Sequence, residues 1–62
     1  MLNPNAICLN VLANGQTLTV RVISALGGDM YRVTDARETA TDKQLIARNR
    51  TWAAPAARLR AR

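Results

Sequence analysis

Ile7-Cys8-Leu9-Asn10-Val11-Leu12-Ala13-Asn14-Gly15-Gln16-Thr17-Leu18-Thr19-Val20-Arg21-Val22 is the stretch whose reading decides the fold. Asn14-Gly15 lies between two runs of alternating apolar residues, and Asn and Gly are the residues that best tolerate the positive φ of a type I′ turn. A two-residue loop there predicts a hairpin with Val11 opposite Leu18, Leu9 opposite Val20 and Ile7 opposite Val22. One face is then wholly apolar. The other pairs Leu12 with Thr17, Asn10 with Thr19 and Cys8 with Arg21, as a solvated or half-covered face would.

Gly27-Gly28-Asp29 predicts a second tight turn, with Asp29 in it, setting Val22 against Val33 and Ser24 against Tyr31. Ser24 faces inward in this register, and Val20 meets Asp35 where the pairing ends. Residues 36–43 are polar and read as an exposed loop. Residues 44–48 regain strand character, and a turn at Asn49-Arg50 would pair Ala47 with Trp52, with Leu45 or Ile46 inward and Trp52 plugging the core. No helical period is expected before residue 51. The class is all-β.

The hairpin at Asn14-Gly15, Tyr31-Arg32-Val33, Gln44 to Arg48, and the run from Trp52 through Pro55-Ala56-Ala57-Arg58-Leu59 to Arg60 together resemble an SH3-like barrel of the small bacterial or phage type. The resemblance implies five short antiparallel strands, with Pro55 to Leu59 forming a 3₁₀ turn before the last. It spans residues 6–61 and treats the chain as one domain, with residues 1–5 as an N-terminal extension. The plasmid-borne type II dihydrofolate reductases are similar in size and end. Their pore-lining Val-Gln-Ile-Tyr segment is replaced here by Arg48-Asn49-Arg50-Thr51-Trp52, so their chemistry does not carry over.

The 62 residues allow one domain, and its core is lean: 48% of the chain is hydrophobic, but much of that is Ala. Self-association would supplement the burial. A single Cys cannot form an internal disulfide, and the N-terminal segment lacks both a basic lead and an unbroken apolar run. Both features lead us to expect a cytoplasmic protein without a membrane partner.

Catalytic groups are scarce: the chain has no His, one Cys and four carboxylates. Ser24 has no evident base. A non-enzymatic protein with no cofactor and no metal is expected. Cys8 reads as a small semi-buried residue, although Arg21 across the strand could lower its thiol pKa.

Charge is distributed unevenly. Up to residue 42, Arg21, Arg32 and Arg37 face Asp29, Asp35, Glu38 and Asp42; beyond it stand Lys43, Arg48, Arg50, Arg58, Arg60 and Arg62 with no acid. Arg suits phosphate and carboxylate through its planar fork, so these six are the candidate nucleic-acid-binding residues. If the terminal run is a strand, Arg58, Arg60 and Arg62 share one face; if it is helical, Arg58 and Arg62 line up and Arg60 points elsewhere. Alternatively, the domain is a protein-interaction or homo-oligomerisation module whose partner is an acidic protein, in the style of small phage and mobile-element proteins.

Overall fold

The computed structural model describes residues 2–62. Its strands are β1 (Ile7–Val11), β2 (Thr17–Gly27), β3 (Met30–Asp35), β4 (Thr51–Pro55) and β5 (Leu59–Ala61). They form one antiparallel sheet in the order β4-β3-β2-β1-β5. A 3₁₀ turn at Ala56–Arg58 precedes β5, where the Pro55 to Leu59 run places it. The all-β class, the five strands and the position of this turn are as expected.

The first hairpin is shifted by one residue from the predicted register. Cys8 faces Val20, Leu9 faces Thr19, Asn10 faces Leu18 and Val11 faces Thr17. Asn14 does not take positive φ; Gly15 does, at 86°. The Gly15 N–H donates to the Leu12 carbonyl at 2.9 Å and the Leu12 N–H to the Gln16 carbonyl at 2.7 Å, which makes Ala13-Asn14-Gly15 a three-residue loop. Asn14 favours this form locally, because its Oδ1 accepts the Gln16 N–H at 3.0 Å. One extra loop residue turns β1 over. Cys8 and Asn10 are buried, whereas Ile7, Leu9 and Val11 lie on the outside.

The second hairpin keeps its predicted start, Val22 opposite Val33 and Val20 opposite Asp35. Shifts between Val22 and Ser24 and between Ala25 and Gly27 then place Ser24 opposite Arg32 and Ala25 opposite Tyr31. The inward placing of Ser24 is thereby corrected. Two-residue turn chemistry appears here instead, with Gly28 and Asp29 both at positive φ, 57° and 63°.

Residues 42–47 are helical, against the loop expected as far as residue 43 and the strand expected over residues 44–48. The helix α1 (Asp42–Ala47) starts at a complete capping box, with Thr41 accepting the Gln44 N–H and the Gln44 side chain accepting the Thr41 N–H. It ends with Asn49 in left-handed conformation (φ 57°), the Asn49 N–H donating to Ile46 and the Arg50 N–H to Leu45. These are the two bonds of a Schellman close. Between these caps, local hydrogen bonds favour one helical turn and a half over extended chain. Leu45 is the buried residue and Ile46 is exposed. Trp52 consequently pairs with Val33 and not with Ala47.

Cys8, Val20, Val22, Tyr31, Val33 and Ala54 form the core, with Leu2, Leu18, Trp52 and Leu59 packed around it. Leu2 belongs to this packing, and its N–H donates to the Tyr31 hydroxyl at 3.3 Å, so the N-terminal segment lies on the body of the fold. Leu45 is buried apart from this cluster, beneath α1. The helix is tied to the sheet by an Arg21–Asp42 ion pair at 2.9 Å, and the Thr34 hydroxyl donates to the Arg50 carbonyl at 2.9 Å.

Candidate nucleic-acid interface

All six predicted cations are exposed, but the fold distributes them. Lys43 lies on α1 and Arg48 is its C-terminal cap; Arg50 follows before β4. Arg58 is in the 3₁₀ turn, Arg60 is in β5 and Arg62 follows it. The strand begins at Leu59, so the shared face of the three Arg does not extend to Arg58, whose Nη1 instead turns to the Leu12 carbonyl at 3.5 Å. Arg60 lies across from Leu9 on the outer face of the sheet, while Leu59 lies across from Asn10 on the inner face.

Ion pairing separates these groups chemically. Arg21 pairs with Asp42, Arg37 with Asp35 and Arg50 with Glu38, the last at 3.6 Å. Among the described residues, no carboxylate partners Lys43, Arg48, Arg58, Arg60 or Arg62. These five therefore contribute an uncompensated positive field to the C-terminal third.

At one end of the sheet, Leu18, Trp52, Arg37 and Arg50 line an open groove of ≈ 500 Å³ together with Asp35, Glu38 and Asn49. A second depression of ≈ 510 Å³ shares Leu18, Asp35 and Arg37 with it and adds Arg62, Thr17 and Thr19. The structure thus brings Arg50 and Arg62 to two hollows that share Arg37. Lys43, Arg48, Arg58 and Arg60 line neither. Arg37 was not among the predicted site residues, because in sequence it is balanced by nearby acids. The spacing Asp35-Ala36-Arg37 is the signal that could have found it: the Asp35 carboxylate accepts the Arg37 backbone N–H at 2.8 Å and its guanidinium at 3.1 and 2.9 Å. The side-chain bonds from Arg37, aided by that N–H, hold the Asp35 carboxyl below its ordinary pKa.

Trp52 combines two roles. It packs against the core and also lines the groove, with its indole N–H donating to the buried Asn10 Oδ1 at 3.0 Å. The Asn10 amide donates to the Arg58 carbonyl at 3.3 Å, linking β1 to the 3₁₀ turn.

Cys8 faces Val20, not Arg21, and burial pushes its thiol pKa up. The suggested activation by Arg21 is therefore overturned. Among the described residues, no three potential metal-ligating residues come together and no helix is long and apolar enough to cross a membrane. No protein-family model, curated protein or solved structure matches the chain.

Proposed function

We propose that this is a non-enzymatic binding domain that contacts nucleic acid through its Arg-rich C-terminal third. The observation that carries the reading is the ion-pair pattern: Asp35, Glu38 and Asp42 engage Arg37, Arg50 and Arg21, while Lys43, Arg48, Arg58, Arg60 and Arg62 have no carboxylate partner among the described residues. Exposed unpaired guanidinium and ammonium groups suit phosphate oxygens, which carry no sequence information. Binding of this kind releases counterions and weakens as salt rises.

The test is a titration of labelled DNA and RNA at 50 and 200 mM salt. Affinity should fall steeply between the two, and Arg58→Ala with Arg60→Ala should weaken binding and flatten the salt slope while leaving the fold intact. Absence of binding at 50 mM salt rejects the reading.

A second reading is self-association or docking on an acidic protein. It is favoured by the exposure of Ile7 (37%), Leu26 (44%) and Ile46 (48%) and by the open edges of β4 and β5. Light scattering across a concentration range tests it, because a strict monomer with no co-purifying acidic protein removes its support.

A further inference from the structure

The groove beside Trp52 narrows the nucleic-acid reading to a class of ligand. We infer that it receives one unpaired base of a single-stranded nucleic acid, stacked on the indole of Trp52 beside Leu18, with neighbouring phosphates held by Arg37, Arg50 and Arg62. This rests on the phosphate-binding reading above and extends it from the unpaired cations to Arg37 and Arg50, which a carboxylate also contacts.

Trp52 is a half-buried lining residue of this groove. Its N–H is engaged by Asn10 at 3.0 Å, so the ring is held in place and its remaining means of recognition is apolar and π contact. Leu18 adds apolar surface to the same groove, whose ≈ 500 Å³ lies in the range that accommodates a small-molecule-sized group.

Across the two hollows three guanidinium groups, those of Arg37, Arg50 and Arg62, face the two carboxylates of Asp35 and Glu38. Arg37 and Arg50 keep 87% and 66% of their side chains exposed, and Arg62 lines the adjoining hollow. Of the two acids present, Asp35 is covered by the Arg37 guanidinium through both its oxygens. Glu38 stands 3.6 Å from Arg50, a contact loose enough for Arg50 to exchange it for a phosphate. A stacking ring bordered by guanidinium groups is the arrangement by which single strands are held without base-specific hydrogen bonds. A duplex keeps its base faces inside the stack and offers phosphates and base edges, with no face free to lie on an indole.

Trp52 is the chain's only Trp, so its emission reports on this groove directly. The full chain is titrated with an oligothymidylate of about eight nucleotides, with an abasic strand of the same length and with a duplex. Both the anisotropy of the labelled nucleic acid and the Trp52 emission are followed. The oligothymidylate should quench Trp52 with the same midpoint as its anisotropy rise, and the abasic strand should bind at least about fivefold more weakly, without quenching. Trp52→Phe, which keeps an aromatic ring, should retain most of the preference for the strand that carries bases.

If the abasic strand binds as tightly as the oligothymidylate, or binding leaves Trp52 emission unchanged, the stacking inference is overturned while phosphate binding stands. If no nucleic acid binds at low salt, both are overturned. A duplex that binds as tightly as the single strand and quenches equally also rejects the single-strand assignment.

Discussion

The Asn10 carboxamide oxygen accepts the indole N–H of Trp52 at 3.0 Å, across a sheet in which β1 and β4 are separated by β2 and β3. Two strands with two others between them can share a side-chain hydrogen bond only if the sheet curls on itself. The pair is therefore a cross-brace of the curl, and it fixes the indole of a residue that also lines the groove. Asn10 is only 4% exposed, and its amide also reaches the 3₁₀ turn through the Arg58 carbonyl. One residue thus ties together β1, β4 and the approach to β5.

Asn10→Leu removes an acceptor from the indole N–H and a donor from the Arg58 carbonyl. Leaving partly buried polar groups unpaired should lower stability by about 1–3 kcal/mol. Urea unfolding followed by Trp52 emission measures it. An unchanged midpoint would show that water replaces both partners at no cost.

The α1 caps can be tested separately from its packing. Thr41→Ala removes the capping-box acceptor and should cost about 1 kcal/mol. Leu45→Ala removes the buried side chain of the helix, 1% exposed, and should cost about 2–5 kcal/mol, enough to unfold a chain of this size. Similar small losses from both variants would mean that α1 contributes little to global stability.

Gly15 and Gly28 have positive φ, 86° and 57°, and an added Cβ would meet no atom within 4 Å at either. Gly15→Ala and Gly28→Ala should each therefore cost about 1 kcal/mol from backbone conformation alone, with no steric clash to relieve. A loss several times larger would point to a rearranged hairpin, visible as altered cross-strand NOEs.

Acid sensitivity should trace in part to Asp35. Its pKa in the folded chain lies below the ordinary value because Arg37 bonds favour the carboxylate. The stability contribution is thus present above the unfolded-state value of about 3.9 and is lost as pH falls through the lower folded-state value. Urea midpoints measured from pH 7 to pH 2 should fall below about pH 4. Asp35→Asn should be less stable at pH 7 and show a shallower acid decline. Equal slopes in both proteins would remove the pair from the account.

Cys8 should behave as a packed, unreactive thiol, since it is buried and its pKa is raised by burial. At pH 8 its reaction with an aromatic disulfide reagent should be on the order of 100-fold slower in the native protein than in urea. Rapid native labelling would place Cys8 at the surface and contradict the β1 register.

Turns and the final closure were legible in the chain because short-range chemistry governs them. Gly28-Asp29 makes a tight turn, and Pro55-Ala56-Ala57-Arg58-Leu59 yields its 3₁₀ turn just before a short strand. The start of α1 has a signal in Thr41 and Gln44 three residues apart, but alternation passes over it, because the apolar run that follows resembles a strand. Periodicity discriminates poorly over six residues.

Which face each residue of β1 presents was beyond the reach of alternation. Alternation favours Ile7-Leu9-Val11 as the inward face, yet Cys8 and Asn10 are the buried pair, because the outcome follows from whether the Asn14-Gly15 loop counts two residues or three. Tertiary contacts stabilise the three-residue form: Asn10 must point inward to meet Trp52, a residue 42 positions away. The positive charge of the C-terminal third is a property of composition. Its division between ion-paired and unpaired groups, and the meeting of Arg37, Arg50 and Arg62 around Trp52 and Leu18, depend on long-range strand pairing that only the folded chain supplies.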